Sequence, residues 1–444
     1  MKNILIIGAG FSTRVLVEYL TKESGKFDWK LVLADMDFEA CKTLLNNHPN
    51  GTPVQLNVND EAHLEELVKN SDIVVSMLPA RFHPIVAKKC LKYSKNLATA
   101  SYVSPEMAKM NDEAKAKGLI FLNEIGLDPG IDHMSAMEII NRLENENAEI
   151  TSFKSFTGGL VAPKYDNNPW NYKFTWNPRN VVLAGQGTAR FIKNGKYKYI
   201  PYNQLFKRID KFYIDGYGEF EGYANRDSLG YRKIYGLENI QTMLRGTLRK
   251  TGFAETWDIF VQLGITDDTY TIENSENMTY REFINSFLPY HETKSVEEKL
   301  SEYLNIPLND YKLYRLRWLG IFDDKKIGLK NATPAQILQK LLEEKWTLED
   351  GDRDMIVMQH IFEYALNNKK YRLYSSLAIE GKDSYHTAMA ITVGTPLAIG
   401  VKSILTGKIK VKGVHIPVIP EIYEPVMNEL KGLGINFVEK IEEI

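Results

Sequence analysis

Lys2-Asn-Ile-Leu-Ile-Ile-Gly8-Ala-Gly10-Phe11-Ser12-Thr13-Arg14 opens the chain and decides its fold class. The apolar run Ile4 to Ile7 reads as a short buried strand. Gly8 and Gly10 make a tight turn, and Val15, Leu16, Tyr19 and Leu20 then follow a helical period. Gly8 permits the turn, and Gly10 has no side chain to hold a pyrophosphate off the backbone. The helix that follows offers free N–H groups and its positive dipole end to that phosphate. Thr13 stands where the third glycine of G-x-G-x-x-G would be, a position that governs helix–strand packing rather than phosphate contact. A second apolar strand, Trp29 to Ala34, ends at Asp35, whose carboxylate suits the hydroxyls of an adenosine ribose. The stretch therefore predicts a dinucleotide cradle.

Alternation continues outward from there. Strands are expected near Pro53–Val58, Asp72–Leu78, Leu97–Ala100 and Leu119–Leu122, with helices between them. Such a pattern argues a doubly wound parallel sheet, an α/β Rossmann domain whose ligands sit past the carboxyl ends of the strands. Site candidates are therefore Gly8 to Arg14, Asp35, Asn57, Val58, Leu78, Ser101, Tyr102 and the segment Asn123 to His133. Beyond about residue 150 short β-like runs and dense aromatics, among them Trp170, Tyr172, Phe174 and Trp176, indicate an α+β second domain. Gly158 to Pro163 reads as a loop. Residues 253–346 read as a helical insert. The expected division is 1–130 completed by about 384–444, then 131–252 with 347–383, then 253–346.

Bulk properties exclude several classes. A chain of 444 residues is too long for one typical core. With 55 basic and 57 acidic residues, overall charge implies no nucleic-acid partner. Cys41 and Cys90 suggest neither a disulfide framework nor a zinc site, and no metal centre is expected. Free thiols and the absence of a signal-like start point to the cytoplasm. The run Ala388 to Val401 is interrupted by Gly394, Pro396 and Gly400 and is expected to be too short to span a bilayer.

The segment Asn123-Glu-Ile-Gly-Leu-Asp128-Pro-Gly-Ile-Asp132-His133 places acids and a histidine at the mouth of the expected cofactor site. Turn chemistry accounts for Pro129-Gly130, and Asp132 could cap a helix starting near His133. It does not account for the other acids. "NEIGLDPGIDHM" resembles the signature of the glutamate-forming saccharopine dehydrogenases, also called saccharopine reductases. Further blocks agree with it in order: "SYVSPEM" from Ser101, "FTGGLVAP" from Phe156, "NPWNYKFTWNPRNVVLA" from Asn168, "YANRDS" from Tyr223, "LRGTLRKTGF" from Leu244 and "RDMIVMQH" from Arg353.

The resemblance implies a Rossmann domain, a mixed-sheet substrate domain and a small helical domain, paired as a homodimer. It implies saccharopine as substrate, with Ser101, Tyr102, Asp128, Arg226, Arg245, Gly246 and Thr247 at the substrate-contacting positions. The arginines would grip carboxylates, Ser101 and Thr247 would donate hydroxyl bonds, and Asp128 would pair with a substrate ammonium. Trp176 matches a cofactor-contacting aromatic. Candidates for acid–base work are Asp128, Tyr102, Glu124 and His133. In NADP-using relatives a basic residue typically follows the second strand. Ala34-Asp35-Met36-Asp37 has two acids there instead, so NAD(H) is the expected cofactor, with NADP(H) possible. Competing readings are carboxynorspermidine synthase, lysine 6-dehydrogenase and a non-catalytic nucleotide-binding protein.

Overall fold

The computed structural model describes Met1–Ile444, which falls into two compact units. Unit 1 comprises Met1–Ile150, Tyr364–Tyr371 and Leu377–Ile444, and unit 2 comprises Thr151–Glu363 and Arg372–Ser376.

Unit 1 carries a seven-stranded sheet. Its strands are β1 (Lys2–Ile7), β2 (Trp29–Asp35), β3 (Gly51–Gln55), β4 (Ile73–Ser76), β5 (Asn96–Ala98), β6 (Ile120–Leu122) and the late strand Gly413–His415. The order is Gly413–His415, β6, β5, β4, β1, β2, β3, and all pairings are parallel. Sequence order reverses direction between β1 and β4, the switch point at which a doubly wound sheet opens a crevice. Helices cover both faces, so Ile4 to Ile7 and Ile73 to Val75 are buried without alternation. The seventh strand has three residues and no periodicity that could announce it.

The run Ala388–Leu405 is an 18-residue helix, long and apolar enough to cross a membrane by length and composition. The expectation that it is too short is corrected, yet it is a core helix. It is 78% buried within the protein and packs on the first helix, Thr13–Phe27. Gly394 makes that contact possible, because a Cβ there would lie 2.9 Å from Ser12 O and Leu16 N. Helix Ile131–Asn145 packs against helix Pro420–Gly432 and belongs to unit 1, past the expected boundary at residue 130. Both cysteines are buried and unpaired, and burial pushes their thiols up, Cys41 to about 11.

A nine-stranded mixed sheet is formed by β7 (Glu149–Val161), β8 (Ala189–Lys193), β9 (Lys196–Ile200), β10 (Ile209–Ile214), β11 (Gly218–Ala224), β12 (Thr242–Lys250), β13 (Asp354–Leu366), β14 (Lys369–Glu380) and the last strand Val438–Glu443. Most of its residues belong to unit 2, whereas Tyr364–Tyr371, Leu377–Glu380 and Val438–Glu443 belong to unit 1. Its main order is β10-β11-β12-β7-β13-β14 and then Val438–Glu443, with β8 paired to β12 and β9 paired to β8. Of the expected loop Gly158 to Pro163, residues Gly158–Val161 are the end of β7. Gly158 is needed because a Cβ would stand 2.6 Å from Leu248 O, so the glycine marks backbone approach rather than a turn. The hairpin β13–β14 turns at Asn367-Asn368, both left-handed (φ 51° and 62°), which suits asparagine. The helices between Phe253 and Trp346 lie in unit 2. Trp170, Tyr172, Phe253, Trp257, Phe260 and Trp346 are all buried and pack ring against ring, Trp170 stacking on Phe260 at 5.7 Å. Burial of each such ring contributes roughly 2–3 kcal/mol.

Candidate active-site residues

The cradle follows from the first strand–helix turn. Gly8 has φ +110°, and a Cβ there would lie 2.9 Å from Met77 O. At Gly10 a Cβ would meet nothing within 4 Å, which is open room at the mouth of the helix. The helix Thr13–Phe27 has no acid in its first turn, and Ser12 makes no side-chain cap. Thr13 N–H is taken by Gly10 O (3.0 Å), but no side chain competes for the positive end of the helix, and a pyrophosphate fits there. Thr13 is buried against the sheet, as a packing position should be. The Arg14 guanidinium donates to Ser384 O (3.0 Å) and lies 4.6 Å over the exposed ring of Phe11. Asp35 accepts from Ala9 N–H (2.7 Å) and Asp37 N–H (2.9 Å), one bond per oxygen. Its remaining lone pairs suit ribose hydroxyls. Asn57 is exposed after β3, Val58 is buried, and Leu78 is half-buried after β4.

The loop after β6 is a tight knot. Ile131 N–H reaches back to Gly126 O (2.9 Å), and a Cβ at Gly130 would sit 2.1 Å from that oxygen. From Asn123 to His133 every residue is buried except Asp128, which is half-buried. The helix begins at Ile131, not near His133, and Asp132 lies inside its first turn, accepting from Gly130 N–H (2.7 Å). Asp132 is therefore not the N-cap. His133 is fully buried, with Nε2 2.9 Å from Glu124 Oε2. The other Glu124 oxygen accepts from Val103 N–H (2.9 Å), and Glu124 N–H donates to Ser101 O (3.0 Å). Glu124 and His133 thus brace the segment Ser101–Val103. Asp128 and Tyr102 remain accessible: Tyr102 is 38% exposed, and its hydroxyl donates to Asp128 Oδ1 (3.2 Å).

Sequence reasoning gave no chemical task to His83, which it absorbed into a helix. The ring is buried, Nδ1 lies 2.8 Å from Ser76 Oγ, and Nε2 lies 2.7 Å from Ser101 Oγ. Its place just after β4, at the carboxyl edge of the sheet, is the signal that could have singled it out. Burial lowers its pKa to about 4 from 6.5. Between those values the unfolded chain binds the proton and the folded chain does not, so this site's stability contribution is full above pH 6.5 and fades as pH falls toward 4. We expect it to cost roughly 2 kcal/mol by pH 5. Thermal melts of His83→Gln should therefore fall less between pH 7.5 and pH 5 than those of the wild type; equal falls would refute this.

The expected substrate positions are divided, with Ser101, Tyr102 and Asp128 in unit 1 and Arg226, Arg245, Gly246 and Thr247 in unit 2. Trp176 also lies in unit 2 and is 42% exposed. Alternation along β12 puts Arg245 and Thr247 on one face and Gly246 on the other. Gly246 must be glycine, since a Cβ would lie 2.1 Å from the Phe156 ring. Arg245 is buried, with its guanidinium 4.2 Å over the Tyr231 ring. Its backbone N–H donates to Ser228 Oγ (2.9 Å), and its carbonyl accepts from Asn225 N–H (2.9 Å). Arg226 is exposed at φ +47°, an uncommon conformation for a side-chain-bearing residue, with its carbonyl held by Arg190 N–H (2.8 Å). Burial raises the pKa of the Tyr223 phenol, offset in part by Arg249 and by a hydrogen bond with Thr247. Arg249 continues the same face, buried 5.0 Å from the Tyr172 ring, a residue that alternation from Arg245 could have nominated.

Residues 4–122 match the family described as the saccharopine dehydrogenase NADP binding domain, and residues 126–435 match the saccharopine dehydrogenase C-terminal domain. The chain is 34% identical to the NADP(+), L-glutamate-forming saccharopine dehydrogenase of Schizosaccharomyces pombe, over 99% of each chain. It is 33% identical to the mitochondrial alpha-aminoadipic semialdehyde synthase of Mus musculus, over 98% of this chain and 47% of that one. The structure of apo saccharopine dehydrogenase (L-Glu forming) from Saccharomyces cerevisiae superposes with a TM-score of 0.90 at 32% identity, covering all of both chains. A parallel dinucleotide-binding sheet, a mixed second sheet and similarity along the whole length agree, and the chain belongs to the saccharopine dehydrogenase family.

Proposed function

We propose that this protein is an NAD(P)-dependent oxidoreductase acting on CH–NH bonds. In this reading it reversibly converts saccharopine and water to glutamate and 2-aminoadipate 6-semialdehyde, within lysine metabolism. The observation that carries the reading is similarity to proteins of that name over 99% of both chains. When bound, the dinucleotide accepts hydride from the carbon next to the secondary amine. The chain's own groups do the rest. The cradle from Gly8 to Arg14 holds the pyrophosphate, and Asp35 holds the ribose. Arg226 and Arg245 neutralise substrate carboxylates. The amine must lose its proton before hydride can leave, because its lone pair forms the new C=N bond. Water then adds to that carbon, and the C–N bond breaks with the nitrogen leaving on glutamate. Tyr102 and Asp128, hydrogen-bonded to each other and accessible, are the groups placed to move these protons.

The finer parts of the proposal are a preference for NAD(H), a homodimer and a cytoplasmic setting. Two carboxylates at the end of β2, Asp35 and Asp37, support the first, and unpaired buried thiols support the last. Light scattering of the purified protein checks the dimer, and a monomer mass would reject it.

The assay is absorbance of reduced nicotinamide with saccharopine and, separately, with lysine. Signal with saccharopine is expected. Signal with lysine alone would move the protein to another amine, and silence with both would leave a nucleotide-binding protein. Asp128→Asn keeps the shape and removes the charge. A substrate ammonium would lose a charge-assisted bond, so KM for saccharopine should rise about tenfold. Unchanged kcat and KM would show that Asp128 does not orient substrate.

A further inference from the structure

His83 joins two hydroxyls that differ in what they can do next. Ser76 ends β4 and is wholly buried, and its Oγ makes its hydrogen bond to His83 Nδ1 (2.8 Å). Ser101 follows β5, and its Oγ meets His83 Nε2 (2.7 Å). Burial holds the imidazole neutral at working pH, so one nitrogen donates and the other accepts. If Nδ1 carried the proton, it would donate to Ser76 Oγ, and the buried Ser76 hydroxyl proton would have no acceptor. Stranding that proton disfavours the arrangement by about tenfold or more. With the proton on Nε2, Ser76 O–H donates to Nδ1, Nε2–H donates to Ser101 Oγ, and nothing buried is left unmet. The Ser101 hydroxyl proton then has no use inside the chain and points outward as a donor.

We propose that His83 is a positioning residue for the reaction: locked by Ser76 with its proton on Nε2, it donates to Ser101 Oγ and commits the Ser101 hydroxyl proton to a carboxylate oxygen of the substrate. The inference rests on the saccharopine reading, because it needs Ser101 to touch an anionic substrate. A histidine that only packed the start of helix His83–Tyr93 would require neither contact.

The test compares two amides. In His83→Gln the side-chain amide reaches the place of Nε2 and can still donate to Ser101. In His83→Asn it reaches the place of Nδ1, meets Ser76 and stops short of Ser101. With saccharopine varied, His83→Asn should raise KM about tenfold with kcat within about twofold, and His83→Gln should recover most of the loss. The KM for dinucleotide should not move in either. Equal KM values in the two variants, or an unchanged KM in His83→Asn, overturn the inference. Ser101→Ala with and without His83→Asn is the second measurement. A residue that acts through Ser101 adds no further loss once that hydroxyl is gone, and additive losses overturn the proposal. If the His83 variants do not fold, Ser76→Ala, which deletes one oxygen and frees the tautomer, should raise KM about threefold or more, and an unchanged KM counts against the proposal. Wild-type protein silent with saccharopine would sink the functional reading and this inference together. Wild-type turnover with an unmoved KM in the variants would sink the inference alone.

Discussion

Replacing Arg245 by methionine should lower kcat/KM for saccharopine about 100- to 1,000-fold, the range expected when one partner of a desolvated charge pair is removed. Arg245 is only 8% exposed, and its guanidinium carbon lies 4.2 Å from the centre of the Tyr231 ring. Its backbone is tied on both sides, and Gly246 beside it admits no side chain. The group is therefore already desolvated and oriented before substrate arrives, so a carboxylate meets it at little further entropic cost. Most of the loss should appear in KM for saccharopine, with KM for dinucleotide unmoved. Arg245→Lys should recover little, because an ammonium neither forks onto a carboxylate nor stacks on Tyr231 in the same way. Arg226 is exposed and screened, so Arg226→Met should cost about tenfold at most. Steady-state kinetics with melting curves for each variant decide the matter; an Arg245→Met enzyme within threefold of wild type would remove Arg245 from the substrate site.

The second large effect concerns the cofactor. Wild-type kcat/KM should favour NADH over NADPH by about 100-fold, the combined effect of ribose hydrogen bonds kept and phosphate repulsion avoided. Asp35 ends β2 and Asp37 follows it across Met36, and no basic residue stands with them in Ala34–Asp37. Asp35 also holds the glycine turn through Ala9, and Asp37 caps the helix Phe38–Leu45 through Ala40 N–H (3.0 Å), so altering either confounds binding with folding. Met36 is 67% exposed and carries neither task. Met36→Arg should therefore raise kcat/KM for NADPH about tenfold while leaving the melting temperature unchanged, one new phosphate contact being the only difference. The Schizosaccharomyces pombe relative is named as NADP(+)-dependent and the matched domain is described as NADP binding, so a wild-type preference for NADPH is the result that would reverse this expectation.

Much of unit 1 is written locally. β1, the turn at Gly8 and Gly10 and the helix after it are contiguous, and each is announced by spacing and by residues whose conformational limits are their own. The same holds for the Asn367-Asn368 hairpin. Where a residue's reason lies in a distant segment, the sequence misleads. Gly158 reads as loop but clears space for Leu248, and Gly394 interrupts an apolar run but admits the first helix.

The sequence by itself determined the dinucleotide cradle, the strand–helix order of the first unit and, through the order of its motifs, the family. Tertiary structure alone decided which of four acid–base candidates reach solvent, that Glu124 and His133 brace a backbone segment, and that His83 links Ser76 to Ser101. The physical reason is that period and turn propensity are properties of neighbouring residues. Burial and hydrogen-bond partnership depend on which strands become adjacent, and β4 and β5 bring together hydroxyls 25 positions apart in the chain.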